Sequence, residues 1–532
     1  MLMNKPYVQV SRFLFTLVLL VSLTVLTAPL AFASSSDWPM YLNDATRNSA
    51  NLNESTLSTS NVSKLTQQWV FHTGGIIASS ATVVNGVVYF GSWDGYEYAI
   101  NESTGQQVWK TFLGITTNSN CTNQTSLGVT SSASVVNGVV YVGGGDGDFY
   151  ALDANSGAVD WNVKLGDNSA ASGHYVWSSP LIYNNNAYIG IASQCDIPLV
   201  QGQIFKIDLA THAIAGTFST VPDGQVGAGI WSSPSVDPST NTIFITTGNG
   251  SSIYSQAMIA LDASTFAVKG SWQIPADQLG PDSDWGTTPL VASLSDGTHT
   301  VSAINKNGIL YDFFANNVSA GPIWQTNLAV GGDCPECGDG SISSGTFNGS
   351  RLFYAAGNTT INGTSYKGSL RALDPHTGSI VWQNGFSGTP FSAVAYANGI
   401  IAVAPANSLQ VLNAQDGTVL FNQSLSNIVY GAPSIANGMI FVGTIGGNEY
   451  AFSLGSQPPP TTTTLGGLNL TAYCQSLGQN GSALNGSTWI CNPSGNTINM
   501  TGACVWQYNN STATAAEARS NDPYSWTCYS TK

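Results

Sequence analysis

The chain has 532 residues, of which 42% are hydrophobic and only 8% charged, and its formal net charge is −15. A negative surface repels phosphate backbones, so this balance argues against a nucleic-acid partner. Ser, Thr, Asn and Gly take the place of charged residues, which favours short strands joined by turns over surface helices.

The first 33 residues have the pattern of an export signal. Lys5 and Arg12 precede an apolar run over residues 13–28, and Ala-Phe-Ala at 31–33 is a small-x-small cleavage site. We therefore predict a signal peptide over 1–33 and a secreted protein, extracellular or held at the cell envelope; an uncleaved membrane anchor is the alternative. Export would place the eight cysteines where they can pair, and more than a dozen Asn-x-Ser/Thr sequons become candidate glycan sites.

Residues 81–109 and 133–161 are two copies of one pattern. Both contain an Asn-Gly and an Asp-Gly turn between hydrophobic runs, and Trp109 of the first copy recurs as Trp161 of the second. The turns and runs predict four short antiparallel strands in each copy. Such a unit corresponds to one blade of a β-propeller.

Six weaker copies follow, and the last ends at Phe452, after its third strand. A candidate for the missing fourth strand lies near the N-terminus, around Trp69. We therefore predict an all-β fold over 34–455: an eight-bladed β-propeller of four-stranded antiparallel blades, in which the N-terminal strand closes the ring. The Trp residues of the outer strands, such as Trp109, Trp161 and Trp382, are predicted to pack between neighbouring blades.

A Pro- and Thr-rich segment, residues 456–467, reads as a linker to a short terminal module over 468–532. So short a module cannot bury a large core, so we predict a small disulfide-rich domain with two bridges. Its four cysteines are Cys474, Cys491, Cys504 and Cys528. The sequence leaves their pairing open. The aromatic residues of the module either form a small core around the disulfides or stack on sugar rings.

The other four cysteines lie in the repeats. Cys334 and Cys337 are separated by Pro-Glu and followed by Gly338, which excludes Cys-x-x-Cys-His haem attachment. Zinc would need further ligands, and no second pair is near, so we favour a local disulfide over a redox pair. Cys121 and Cys195 could form another bridge, between long loops of the second and third repeats.

The repeat, for example ALDPHTGSIVW at 372–382, resembles that of the pyrroloquinoline quinone (PQQ) propeller superfamily. The segment DWPMYLNDATRNSANL at 37–52 is similar to the opening of its polyvinyl-alcohol-dehydrogenase-like branch. The superfamily includes quinoprotein alcohol dehydrogenases and non-enzymatic propellers of the bacterial outer-membrane assembly machinery. The resemblance covers about residues 37–454, and it implies the fold more specifically than the function.

Four motifs resemble the cofactor site of the quinoprotein enzymes. They are GIWSSPSVDP at 229–238, TTGNG at 246–250, PDSDWGTTP at 281–289 and INKNGILY at 304–311. The resemblance makes Asp284 the catalytic carboxylate and a calcium ligand, with Asp282 beside it at the cofactor. It also makes Asn249 a calcium ligand, Lys306 the basic contact of the quinone and Trp231 the indole that stacks on it.

These residue types suit that chemistry. Calcium takes oxygen ligands and polarises a carbonyl group, a carboxylate can accept the proton of an alcohol, and a lysine stabilises negative charge on a reduced quinone. Each also has an ordinary structural role as the alternative: Asp284 could cap a turn, Asn249 could occupy a left-handed turn position, and Trp231 could pack between blades.

The chain also departs from the family. The glutamate that ligates calcium is expected in the third repeat, where Gln194 and Asp196 are the only candidates, and we select Asp196. The family's pair of adjacent cysteines over the cofactor is missing, and the stretch expected to carry an acidic cofactor contact reads IIASSATV.

Two functions follow. The first is an extracellular, monomeric oxidoreductase that uses PQQ and Ca2+, without haem, to oxidise a small alcohol or sugar and passes the electrons to an external acceptor. The alternative is a non-catalytic propeller that binds a protein or a glycan of the cell envelope.

Overall fold

The computed structural model describes residues 36–116, 127–280, 282–455, 462–486, 488–509, 513–517 and 523–531. The predicted signal peptide, Cys121 and residues 456–461 of the predicted linker lie outside this set. Among the described residues, no helix has the length and apolar character needed to cross a membrane.

The described residues up to 455 form eight antiparallel sheets, each with four strands that follow one another across the sheet. This is the architecture of a β-propeller, as predicted. Two strands from the N-terminal region join these sheets: β1 is Ala50–Asn51 and β2 is Leu65–His72. Sheet 1 contains β3 Thr82–Val84, β4 Val87–Gly91, β5 Tyr96–Asn101 and β6 Gln107–Phe112. Sheet 2 contains β7 Ser134–Val136, β8 Val139–Gly143, β9 Asp148–Asp153 and β10 Val159–Lys164.

The next three sheets repeat this order. Sheet 3 contains β12 Leu181–Tyr183, β13 Asn186–Ser193, β14 Gln203–Asp208 and β15 Ala213–Ser219, with the added strand β11 His174–Tyr175. Sheet 4 contains β16 Ser235–Asp237, β17 Thr242–Thr246, β18 Ala257–Asp262 and β19 Val268–Gln273. Sheet 5 contains β20 Leu290–Ser293, β21 His299–Ile304, β22 Ile309–Phe314 and β23 Trp324–Asn327.

The last three sheets include two variations. Sheet 6 contains β24 Thr346–Phe347, β25 Leu352–Ala356, β28 Gly368–Leu373 and β29 Ile380–Phe386, and the hairpin β26 Thr359–Ile361 and β27 Thr364–Tyr366 interrupts it. Sheet 7 contains β30 Ala395–Ala397, β31 Ile400–Val403, β32 Ser408–Asn413 and β33 Val419–Ser424, with β1 beside β30. Sheet 8 contains β34 Ser434–Ala436, β35 Met439–Gly443 and β36 Asn448–Leu454, and β2 supplies its fourth strand. The strand around Trp69 therefore completes the last sheet, as predicted.

The tryptophans of the outer strands connect neighbouring sheets. The indole Nε1 of Trp109 donates to the carbonyl of Ala154 in sheet 2 at 2.9 Å, and that of Trp382 donates to Ala414 in sheet 7 at 3.1 Å. A Cβ atom at Gly157 would lie 2.6 Å from the Trp109 ring, and Gly157 has a φ of +70°. The turn glycine therefore provides both a left-handed backbone conformation and space for the neighbouring indole.

Residues 38–51 run along the first strands of the sheets and bond to seven of them and, at sheet 3, to the residue just before the first strand. Backbone pairs join Trp38 to Val83, Pro39 to Val135, Ala45 to Val236, Thr46 to Val291, Asn48 to Phe347 and Ser49 to Tyr396. The buried Arg47 guanidinium reaches the remaining third sheet by donating to the carbonyl of Pro180 at 2.9 Å, and Asn51 Nδ2 donates to Ile435 of sheet 8 at 2.9 Å. We call residues 38–51 the inner segment.

A second set of hydrogen bonds runs from sheet to sheet just before the first strands. A backbone N–H of one sheet donates to a hydroxyl of the next, in the pairs Ser80 to Ser132, Ser132 to Ser179, Ser179 to Ser233, Ser233 to Thr288, Thr288 to Ser344 and Ala432 to Ser80. The last pair joins sheet 8 to sheet 1. Ala393 and Ala432 occupy the equivalent positions of sheets 7 and 8 and offer no hydroxyl.

The terminal module has two small sheets and two helices. Its elements are β37 Thr462–Gly467, α1 Leu470–Ser476, β38 Gly481–Asn485, β39 Thr488–Asn492, α2 Met500–Tyr508, β40 Ala513–Glu517 and β41 Trp526–Thr531. Cys474 pairs with Cys491 and Cys504 with Cys528, which resolves the connectivity. The predicted linker is too long, because residues 462–467 form β37, which pairs with β41.

In the repeats, Cys334 and Cys337 form the local disulfide that we predicted. Cys195 is also disulfide-bonded. The proposed bridge to Cys121 involves a residue outside the described set.

Candidate functional site

The predicted site residues come from loops at one end of sheets 3, 4 and 5. Asp196, Asn249 and Lys306 follow the second strands β13, β17 and β21, whereas Trp231 and Asp284 lie in connections that follow the fourth strands β15 and β19. In an antiparallel four-stranded sheet, the second and fourth strands run in the same direction, so their C-terminal ends lie at the same end of the sheet. The topology therefore brings five residues from distant motifs to one face.

Asp284 is largely enclosed, with a side chain that is 13% exposed. The backbone N–H of Asn249 donates to its Oδ1 at 2.5 Å, and a Cβ atom at Gly248 would lie 2.9 Å from the same oxygen. Only a glycine at 248 therefore allows this close approach. Burial raises the pKa of Asp284 to about 6, with Lys306 opposing the rise and Asp282 adding to it.

Lys306 binds both aspartates. Its Nζ lies 2.7 Å from Asp282 Oδ2 and 3.6 Å from Asp284 Oδ2, and its side chain is only 11% exposed. Burial acts to lower the pKa of Lys306, but the two carboxylates outweigh it and raise the pKa. Lys306 is therefore charged, and it is the cation that keeps two neighbouring carboxylates together.

Asn249 is held by its own hydrogen bonds. Its Nδ2 donates to Asp282 Oδ1 at 2.7 Å, and its Oδ1 accepts from Gln256 Nε2 at 2.9 Å and from the Ser283 backbone N–H at 3.4 Å. Asn249 is not among the residues of the described chain that have a positive φ. It therefore does not occupy the left-handed turn position that we considered as an alternative. These bonds direct the amide nitrogen to the carboxylate of Asp282 and the amide oxygen to Gln256 and Ser283.

Trp231 lines both the cavity beside the site and a second cavity, bordered by residues that precede the first strands of all eight sheets, which we call the central channel. Lys306 Nζ lies 5.3 Å from the centre of its ring, within the range of a cation–π contact. The indole packs directly on Gly286, where a Cβ atom would lie 2.3 Å from Cη2. Contacts with Lys306 and Gly286 therefore fix the position of the Trp231 ring. Trp231 is not one of the outer-strand tryptophans.

A cavity of about 530 Å3 opens beside these residues. Asp284, Asn249 and Trp231 line it, and so does Asp196. Burial raises the pKa of Asp196, the charge of Asp282 raises it further, and Lys306 lowers it. Asp196 is therefore close enough for the charges of Asp282 and Lys306 to shift its pKa. Among the described residues, no three Asp, Glu, His or Cys side chains converge closely enough to hold a metal by themselves.

Sequence reasoning missed two groups at the site. Trp177 lines both the cavity and the central channel, as Trp231 does. Both begin a Trp-Ser-Ser-Pro motif in consecutive repeats, which was a usable signal. Asn305 donates to the carbonyls of Ser283 and Asp284 at 2.7 and 3.0 Å. Nothing in its local sequence distinguishes it, because its partners lie more than twenty residues away.

Comparison with known proteins follows from this geometry. The profile of the PQQ_2 family, described as outer membrane protein assembly factor BamB, matches residues 49–307 and 366–457, well over half of the chain. The chain belongs to this family. The match includes Trp231, Asn249, Asp284 and Lys306.

Among curated proteins, a polyvinylalcohol dehydrogenase of Sphingopyxis sp. (strain 113P3) is 24% identical over 379 residues, covering 61% of this chain and 55% of the relative. The chain thus spans about half the length of the curated relatives it matches. Among solved structures, the quinohemoprotein alcohol dehydrogenase from Comamonas testosteroni superposes with a TM-score of 0.66 at 17% identity, covering 84% of this chain and 85% of the other. BamB from Moraxella catarrhalis superposes with a TM-score of 0.51 at 17% identity, covering 73% and 99%. These structures share the fold.

Proposed function

We propose that this protein is a secreted quinoprotein-type oxidoreductase whose eight sheets are the blades of one closed propeller. It would oxidise an alcohol or sugar with PQQ and a divalent cation, and pass the electrons to an external acceptor. The observation that carries the proposal is Asp284: a buried carboxylate with a pKa of about 6, bonded to Asn249 and Lys306 at the edge of a cavity of about 530 Å3.

The charges around this cavity fit a cation. Asp196, Asp282 and Asp284 face one lysine, Lys306, so the ionised site has more negative than positive charge. The donor atoms are carboxylate and amide oxygens, which calcium and other hard cations prefer. Since the described residues do not surround an ion by themselves, Asp284, Asn249 and Asp196 would hold it together with oxygens of a second molecule.

The cavity also fits a flat, anionic cofactor. Trp231 and Trp177 provide aromatic surface along its wall, which suits a planar ring system, and Lys306 provides a positive charge. The cation and the cofactor depend on each other here, because three aspartates would repel an anion bound without a metal. When bound, the quinone would supply the redox chemistry by accepting a hydride from the substrate carbon.

The residues of this chain would then supply placement and proton transfer. Asp284, as a carboxylate, would accept the hydroxyl proton of the alcohol while its C–H bond breaks and the carbonyl product forms. Asn249 fixes one oxygen of Asp284 through its backbone N–H, and Lys306 keeps the carboxyl ionised at neutral pH. Asp282 holds Lys306 in place at 2.7 Å.

The test is a titration of the purified mature chain with PQQ in the presence of calcium or a lanthanide ion, followed by dye reduction across alcohols and sugars. We expect micromolar binding and reduction with at least one alcohol. Asp284→Asn should keep the cofactor bound and lower kcat by about 100-fold or more, because the proton acceptor is lost.

The matched control is Asp153→Asn. Asp153 is an exposed carboxylate in a turn of sheet 2, where it accepts from the backbone of Ser156 at 2.8 Å. It should leave dye reduction unchanged. If the chain fails to bind micromolar PQQ with every ion tried, or if Asp284→Asn reduces the dye as fast as the parent, the enzyme proposal is wrong.

A non-catalytic envelope propeller is the second candidate. It is favoured because the polar side chains of the site already form hydrogen bonds and ion pairs with one another, without a ligand. These side chains are Asn249, Asp282, Asp284 and Lys306. The missing cysteine pair and the family description point the same way. In that case these four residues would only join sheets 4 and 5. Addition of PQQ and a cation would then not raise the thermal stability of the chain.

A further inference from the structure

The terminal module has a cleft of its own, which the redox proposal does not use. The cleft has a volume of about 520 Å3 and lies between β37, the start of α1, the β38–β39 hairpin and the turn before β41. Three aromatic and three polar side chains line it: Trp489, Tyr524, Trp526, Asn469, Thr471 and Ser482. Two leucines, a glycine and a proline complete the described lining.

The aromatic side of the cleft is rigid. Trp489 packs against the disulfide core of the module, and its Nε1 donates to the carbonyl of Pro523 at 2.7 Å. The ring of Tyr524 stands at 89° to the indole with its centre 5.6 Å away, and the residue is 72% exposed. A large ring held open to solvent in a fixed position is typical of a binding surface.

The polar side faces the same cleft from α1 and β38. Asn469 Oδ1 accepts from the backbone N–H of Ala472 at 3.0 Å, so its NH2 group is the part of the amide left to donate to a ligand. Thr471 Oγ1 and Ser482 Oγ lie 3.0 Å apart. Each hydroxyl can both donate and accept. The disulfide Cys474–Cys491 joins α1 to β39 and so fixes the polar side relative to Trp489.

The charge of the cleft identifies the class of ligand. No Asp, Glu, Lys, Arg or His is among the described residues that line it, and residues 462–532 contain only Glu517, Arg519, Asp522 and Lys532. The described lining therefore offers an ionic ligand no counter-charge. Flat aromatic faces beside hydroxyl and amide groups suit a neutral ring that is apolar on its faces and carries hydroxyls at its edge.

We propose that this cleft binds a neutral saccharide, as uncharged hexose or N-acetylhexosamine units of a polysaccharide, with a sugar ring stacked on Tyr524. Asn469, Thr471 and Ser482 would hydrogen-bond its hydroxyl groups. The module then attaches the propeller to a polysaccharide surface, and this role is independent of whether the propeller binds a cofactor.

The experiment uses the full mature chain on insoluble chitin and cellulose and in affinity electrophoresis through soluble neutral glucan and mannan, with polygalacturonate as the anionic polymer. We expect retention by at least one neutral polymer. Tyr524→Ala should weaken that retention at least tenfold, and Tyr524→Phe should preserve it, because the ring is what stacks.

The matched control is Trp506→Ala. Trp506 is an aromatic residue of the same module, 43% exposed on α2, where it packs on Tyr473 outside the cleft. It should bind as the parent does, and near-UV circular dichroism establishes that both variants fold. Three results would overturn the proposal: no retention by any neutral polymer, retention by polygalacturonate alone, or equal losses for Tyr524→Ala and Trp506→Ala.

Discussion

Two groups of carboxylates in this molecule have different surroundings. At the candidate site, Asp282 and Asp284 share Lys306, and Asn249 bonds to both. In the third strands of sheets 1 and 8, Glu97 and Glu449 are fully buried, and within the described chain neither has a hydrogen-bond partner for either carboxylate oxygen.

The surroundings act differently on the pKa values of the two groups. Burial alone raises the pKa values of Glu97 and Glu449 well above the ordinary value, which favours the neutral acid form of both. Asp284 is also buried, but Lys306 opposes the effect and its pKa rises only to about 6. Burial by itself does not mark a functional carboxylate in this fold; burial together with a cation and a cavity does.

Removal of the shared cation should have the largest effect. Lys306→Met leaves two carboxylates, whose side chains are only 23% and 13% exposed, without a counter-ion. We therefore expect the free energy of unfolding to fall by about 3 kcal/mol, as when one partner of a buried ion pair is removed. Dye reduction should be lost as well, because Asp284 would then stay protonated. Denaturant unfolding at pH 7.5 measures the first effect.

The matched control is Lys269→Met. Lys269 also bonds to neighbouring groups, donating to Thr240 O at 2.8 Å and Thr242 Oγ1 at 2.7 Å, but it lies on the exposed side of sheet 4. Its replacement should change stability by less than about 0.5 kcal/mol. If both variants are equally stable, Lys306 does not hold the two aspartates together.

Glu97→Gln tests the other side of the comparison through pH. The folded chain keeps the Glu97 proton at pH values where the unfolded chain releases it, so its stability contribution is present below the unfolded pKa of about 4.3 and is lost as pH rises towards the folded pKa. The loss is up to about 1.4 kcal/mol per pH unit. Glutamine cannot ionise, so the variant should match the parent at pH 4 and exceed it at pH 8. A stability difference that stays constant between pH 4 and 8 would contradict a neutral Glu97.

Much of the fold could be predicted because its signals are local. Asn-Gly turns, alternating hydrophobic runs and a terminal Trp recur in each copy, and one strand was missing from the last, so Trp69 could be assigned to sheet 8. The convergence of Asn249, Asp284, Lys306 and Trp231 was also predictable, from their motifs. Their functional roles remain predictions, since contacts alone are compatible with a structural network.

Other features depend on contacts that no local pattern encodes. The inner segment has no hydrophobic period, and it is fixed by backbone bonds to strands as distant as Tyr396. The disulfide pairing of the terminal module follows from how α1 and α2 pack. Residues 462–467 were taken for linker because of the prolines just before them, although the threonines among them are good strand formers.

The smallest predicted change in the free energy of unfolding comes from adding a hydroxyl group next to a backbone N–H that could donate to it. Ala393 interrupts the series of hydroxyls that join successive sheets, and it is 4% exposed at the position equivalent to Ser344. Ala393→Ser would give the Ser344 N–H the acceptor that the amides of Ser233 and Thr288 have. We expect the free energy of unfolding to rise by about 1 kcal/mol, the net value of one intramolecular hydrogen bond.

The control is Ala402→Ser, in the same sheet but inside the hydrophobic core. It should instead lower the free energy of unfolding by about 1–3 kcal/mol, because that hydroxyl is buried among apolar side chains. If both substitutions destabilise the chain equally, the hydroxyl series contributes nothing to joining the sheets. A gain confined to position 393 would show that a buried polar side chain stabilises this propeller only where its partner is already in place, which is the difference between Asp284 and Glu97.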